Sequence, residues 1–159
     1  MATRRRDALV LCREGTRRLV SGDVSGALQL YRESLQLFPT AEAYTHRGWA
    51  YSREGRLNDA IVECRMAIAT DPRLGNAYND LGAYLAALGY SDEAISWFEK
   101  AKTADRYLPR HFPFRNLGRL YARRGHLDLA AAEFEQVLQH RPDDPVATAF
   151  LEQHPLRPN

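Results

Sequence analysis

The side chains best suited to chemistry in this 159-residue chain are arginines. Arg115, Arg119 and Arg123 recur every four residues, a spacing that sets them on one face of a helix. Guanidinium groups in such a row hold carboxylates or phosphates through paired N–H donors. The window 106–126 carries six Arg and no Asp or Glu, in a chain whose net charge is only +2. Charged helix faces usually mix signs, so the row reads as an anion-attracting patch rather than a merely solvated face.

Catalytic patterns are absent. The sequence has no Gly-x-Gly-x-x-Gly, no P-loop, no His-Glu-x-x-His and no Gly-x-Ser-x-Gly. Cys12 and Cys64 stand alone, with no His at ligand spacing beside either, and read as small buried apolar residues in reduced form. His46, His111, His126, His140 and His154 are scattered and read as solvated surface groups. No enzyme activity, metal or cofactor is expected.

Composition agrees with a folded chain: 45% apolar and 26% charged, ordinary globular values. Of the 22 basic residues only Lys100 and Lys102 are lysines, a bias that suggests a G+C-rich, bacterial genome. No apolar run approaches the roughly 18 residues that cross a bilayer. Residues 1–7 carry Arg4, Arg5 and Arg6 and are expected to be a flexible basic stretch. The apolar run that follows, 8–12, falls short of the about 7–15 residues of a secretory core. A cytoplasmic location is expected.

The elements that would position the arginines emerge from the glycines. Eight of the ten Gly form four pairs, each pair seven apart: Gly15/Gly22, Gly48/Gly55, Gly82/Gly89 and Gly118/Gly125. Successive pairs are offset by 33, 34 and 36 residues. Ala27, Ala60, Ala94 and Ala130 follow five residues after each second Gly, and Tyr31, Cys64, Phe98 and Phe134 four residues later. Pro39, Pro72 and Pro142 close three of the units. A fixed period of this length marks stacked supersecondary units. The second Gly stops one helix in a left-handed turn. The first Gly and the Ala permit close helix crossing, and the aromatic fills the space between units.

These residues resemble the tetratricopeptide repeat, a 34-residue helix–turn–helix unit. Tyr78, Leu81, Gly82, Leu85, Ala94 and Phe98 carry the pattern best, and the first unit carries it least. The resemblance implies an all-α fold, a right-handed α-α superhelix of four units over 8–144. The units are 8–40, 41–74, 75–110 and 111–144. A short capping helix, 145–154, begins at Asp144-Pro145, and 155–159 is expected to be a disordered tail. Two extra residues precede the fourth unit, in a stretch with Pro109 and Pro113, and are expected to alter the angle of that unit.

The resemblance also implies a concave groove lined by the first helix of each unit. The groove residues expected to meet a ligand are Thr45, Trp49, Arg53, Asn76, Asn79, Arg115, Arg119 and Arg123. Trp49 is either an aromatic anchor or an oversized core residue. Asn76 and Asn79 either hold a peptide backbone or are simply solvated. Some family members clamp a C-terminal carboxylate with Lys and Asn from successive units. Arg115 and Arg119 match two of those places, while Thr45, Trp49 and Ala83 do not match the rest.

The function implied is a non-catalytic adaptor that binds a peptide segment of a partner protein, one of acidic character. RNA, DNA or another phosphate ligand on the Arg row is the alternative, and pI 8.6 with acids elsewhere argues against a broad phosphate track. Self-assembly into a homo-oligomer through the solenoid ends is a third reading, given Leu9, Leu19 and Val20 in the weak first unit.

Overall fold

A computed structural model describes residues 1–107 and 109–155. Nine helices are present among them: α1 (Ala2–Val20), α2 (Val24–Leu37), α3 (Ala41–Arg53), α4 (Leu57–Thr70), α5 (Gly75–Ala87), α6 (Ser91–Lys102), α7 (His111–Arg123), α8 (Leu127–His140) and α9 (Pro145–Gln153). Each odd helix packs on the even helix that follows, giving four helix pairs capped by α9. The odd helices α1, α3, α5 and α7 also touch one another in order, whereas the even helices make no comparable contact among themselves. The stack is therefore tighter on its odd side, so that side is the inner wall of the curved solenoid.

The turn glycines act as their spacing predicts. Gly22, Gly55, Gly89 and Gly125 are the glycines with positive φ, between 74° and 92°. Beyond each, an N–H reaches back five residues: Asp23 to Arg18 O, Arg56 to Tyr51 O, Tyr90 to Leu85 O and His126 to Tyr121 O, all at 2.9–3.0 Å. This is the Schellman closure, which satisfies carbonyls that a helix end leaves open. Asp23, Thr40 and Asp144 then start α2, α3 and α9 by accepting backbone N–H groups.

The other glycine of each pair has a steric role. A Cβ at Gly82 would lie 2.8 Å from the Phe98 ring, at Gly118 2.9 Å from Phe134, and at Gly15 2.8 Å from Tyr31. The aromatic thus packs over the glycine of its own unit and also borders the next element, Tyr31 lying 6.2 Å from the His46 ring and Phe134 4.7 Å from Phe150. Unit two has Cys64 at the aromatic's place, and there a Cβ at Gly48 would meet the Ala60 carbonyl oxygen at 3.2 Å. With no ring to separate them, the two helices draw together backbone to side chain.

Two expectations change. Residues 2–7 are not a loose arm: they form the exposed first turns of α1, because Arg is a good helix former and no breaker intervenes. Leu19 is fully buried in the first unit's core, while Val20 stays 68% exposed. The segment inserted before unit four makes long-range contacts. Arg106 pairs with the Arg73 carbonyl and the Gly75 N–H at 2.9 Å each, and its guanidinium reaches Glu42 and Asp71. Tyr107 is buried against Gly75, where a Cβ would come within 2.6 Å of it. The segment ties units two and three together. Of the tail expected at 155–159, residues 156–159 lie outside the described residues.

Candidate functional site

The sequence expectation of a groove along the odd helices gains a definite geometry at its C-terminal half. There α7 projects Arg119 and Arg123, both exposed, into the inner wall. On one side of this pair lies a hollow of about 200 Å3 floored by Ala83, Ala86 and Ala87 of α5. On the other lies one of about 590 Å3 between α7, α8 and α9.

The six-arginine window does not survive as a patch of six. Arg106 is paired with Glu42 and Asp71, Arg124 with Asp92 at 2.6 Å, and Arg110 donates to the Lys102 carbonyl at 3.5 Å. Arg115 donates to Asp144 at 3.2 Å, and that carboxylate is fully buried. A charge count along the sequence missed these acids because they arrive from other elements. Arg119 and Arg123 remain without an ion pair among the described residues. Burial, then the like charges of Arg115 and Arg123, hold the Arg119 guanidinium below its ordinary pKa. It stays protonated all the same, and an incoming anion would relieve the crowding of like charge.

Other groove residues fall differently from expectation. Thr45 is buried and its hydroxyl donates to the Ala41 carbonyl of its own helix at 2.8 Å. Asn79 is buried too: its Oδ1 accepts from Asn116 at 2.9 Å, and its Nδ2 donates to Asp80 at 3.3 Å. Asn76 lines a separate hollow with Asp105, Arg106 and Arg110 beside the inserted loop. Trp49 is half-buried and packs on the cluster of Cys12, Leu19, Ala27 and Tyr31, which favours its reading as a core residue. Arg53 is exposed at the end of α3. For Thr45 and Asn79 the cause is helix register: the fifth place of a unit turns toward the next unit, whose sixth place faces back across the junction.

That register repeats. Cys12 meets His46 of the next unit at 3.3 Å, as Asn79 meets Asn116. Burial pushes the Cys12 thiol up to about 12 and lowers the His46 imidazole. Both are therefore neutral at pH 7, and the contact is a hydrogen bond rather than an activated nucleophile. The Thr16 hydroxyl joins it, 3.3 Å from His46 and 3.2 Å from the Tyr31 hydroxyl. His46 and the buried His111 thus leave the solvated class. Spacing carried no hint of this for His46, because its partners Cys12 and Thr16 belong to the neighbouring unit.

At the middle junction the equivalent residues are Thr45 and Asp80. Thr45 has turned its hydroxyl to its own helix, so no cross-unit bond forms. Asp80 has Asn79 as its hydrogen-bond donor and no cation beside it, and burial pushes its carboxyl up to about 7. Sequence reasoning missed Asp80. The signal available was the sixth place, occupied in turn by Arg13, His46, Asp80 and Asn116.

Among the described residues no group of His, Cys, Asp and Glu could hold a metal ion. No helix there is long and apolar enough to cross a membrane.

An inner wall of repeated helices, with two uncommitted arginines near one end, defines an α-solenoid built for recognition. Tetratricopeptide repeat family models match residues 12–74, 75–107 and 113–136, and the chain belongs to the tetratricopeptide repeat family. It is 30% identical over 93 residues to small glutamine-rich tetratricopeptide repeat-containing protein 2 of Mycosarcoma maydis, covering 58% of this chain and 26% of that protein. It is 31% identical over 125 residues to a probable UDP-N-acetylglucosamine–peptide N-acetylglucosaminyltransferase, SPINDLY, of Hordeum vulgare, covering 73% of this chain and 13% of that protein. The chain thus spans about a quarter or less of these relatives. The solved structure of Pseudomonas aeruginosa PilF superposes with a TM-score of 0.85 at 24% identity, over 94% of this chain and 70% of that one. At that identity the likeness speaks for the fold.

Proposed function

We propose that the chain is a non-catalytic adaptor. It binds a segment of another protein along the inner wall and holds an acidic side chain of that segment between Arg119 and Arg123. The observation that carries this reading is selective pairing. Three of the six arginines in 106–126 pair with carboxylates and Arg110 donates to a backbone carbonyl, and the two with neither partner among the described residues are the two that face the groove. A bound carboxylate would give this pair the kind of partner that Arg106, Arg115 and Arg124 already have. Membership of a repeat family and the lack of any catalytic pattern agree with recognition as the role.

The nucleic-acid reading weakens on the same observation. Two phosphate contacts give a salt slope of about −1.8, so raising salt from about 50 to about 200 mM costs roughly tenfold. A track of six cations would lose thousands-fold. The test is binding of fluorescent acidic peptides to the chain carrying Arg119→Glu and Arg123→Glu, at about 150 mM salt. At least a tenfold loss is expected. Binding that survives both reversals removes the assignment.

A further inference from the structure

We infer that the hollow bounded by α7, α8 and α9 receives a bulky apolar side chain of the bound segment, next to the acidic residue held by Arg119 and Arg123. The partner's recognised element is then an acidic–apolar motif rather than acidity alone. This rests on the adaptor reading and adds a second determinant to it.

Geometry carries the inference. The hollow is open to solvent and has a volume of about 590 Å3, room for one large side chain laid against its walls. Its walls are Ala122, Phe134, Val146, Ala149 and Phe150, and Arg119 and Arg123 stand on its rim. The Phe150 and Phe134 rings, 4.7 Å apart, both line the hollow, and His154 lies 4.7 Å from Phe150 behind them in sequence. The hollow across the arginine pair has an alanine floor and about 200 Å3, enough for backbone or a small side chain. Two unequal hollows flanking one cationic pair favour a single orientation of the segment, its large side chain toward α9. The cap is itself a wall of the site, because three of the five apolar wall residues belong to α9. Charge complementarity selects a protein segment as occupant: the rim attracts an anion while the floor attracts an apolar group, and a phosphate backbone supplies only the first.

The test uses fluorescence anisotropy with synthetic nonapeptides. Each has a Gly/Ser frame and a central Asp-Asp pair, with Phe, Leu or Ala two residues to either side. A matching set carries Asn-Asn. Phe and Leu peptides are expected to bind roughly 10- to 100-fold tighter than Ala peptides in one of the two placements. Ala149 is solvent-exposed, so Ala149→Trp fills the hollow without disturbing the core, and circular dichroism checks that the helices are intact. Ala149→Trp should abolish the Phe and Leu advantage and leave the Ala peptides unchanged, while Ala149→Ser changes neither. Phe and Leu peptides no tighter than Ala peptides overturn the inference, as does an advantage that persists in Ala149→Trp. In either case a retained preference for Asp over Asn keeps the adaptor reading. Conversely, loss of the Asp preference with the Phe advantage intact supports the hollow and removes the arginine reading. No binding by any peptide up to millimolar concentration overturns both.

Discussion

Asp144 is the residue whose removal should tell most about how this end of the solenoid is held. Its carboxylate accepts from the N–H groups of Val146 and Ala147 at 3.0 Å each, and from Arg115 at 3.2 Å, with its side chain fully buried. Asp144→Ala removes an N-cap, costing about 1 kcal/mol. It also leaves Arg115, whose side chain is 22% exposed, without its counter-ion. A fully buried pair broken this way costs about 3–5 kcal/mol, and the solvent that Arg115 retains brings that to about 2. The total of about 3 kcal/mol falls on a terminal element, which in a repeat protein frays on its own. Amide hydrogen exchange in α9 should therefore quicken about a hundredfold, while α3 and α5 stay unchanged. Asp144→Asn keeps the cap acceptor and loses the charge, so its effect should be nearer thirtyfold, the roughly 2 kcal/mol of the ion pair alone. Acid should reproduce part of the loss. Burial alone would raise the Asp144 pKa, but the Ala147 N–H, Arg115 and the Val146 N–H together hold it below its ordinary 3.8. Its contribution is therefore present at neutral pH and lost as pH falls below about 4. Unchanged α9 exchange in Asp144→Ala, or an Asn variant as damaged as the Ala variant, would refute the account.

Asp80 behaves in the opposite sense. Its carboxyl, beside neutral Asn79, Cys64, Tyr84 and Tyr107, has its pKa raised by burial to about 7. Its stabilising term is complete below about pH 4 and disappears as pH rises through 7. Asp80→Asn should thus raise the melting temperature at pH 8 and give a smaller gain at pH 5. An equal gain at both pH values would show that burial is not the cause. Gly82→Ala places a methyl 2.8 Å from Phe98 and should cost about 1–3 kcal/mol in urea unfolding. Adding Phe98→Leu should recover part of the loss, and strict additivity would argue against the contact. Cys12 and Cys64 are buried thiols with raised pKa values, so a thiol reagent at pH 8 should label them only after unfolding. Rapid native labelling would contradict that placement.

The fold was legible because the repeat imposes the same local demands four times. Positive φ at Gly22, Gly55, Gly89 and Gly125, and ring-over-glycine packing in three of the four units, are demands a residue type declares by itself. Gly75 shows where that legibility stops. It falls outside the pairing scheme, yet its lack of a side chain admits Tyr107 from a loop 32 residues later. No local pattern announces such a contact, since it depends on how the inserted segment crosses units two and three.

The site was legible only in outline, for a related reason. Sequence spacing placed Arg115, Arg119 and Arg123 on one helix correctly, but a helix face about 100° wide meets two environments in a stacked solenoid. One turn edge looks into the groove and the other looks at the next unit. Arg115 falls on the second edge and meets Asp144, the residue that also starts α9. Thr45, Asn79 and Cys12 occupy the same fifth place and are all buried. A residue at that place is consumed by assembly whatever its chemistry, so its polarity predicts inter-unit bonding rather than ligand contact. The surface left facing the groove belongs to the places one turn further on. There Ala83 opens space, Trp49 closes it, and Arg119 brings charge. Units with the same backbone can therefore present unlike surfaces. In this chain the open, charged surface lies at the fourth unit, where α9 covers part of the end of the stack and supplies walls of its own.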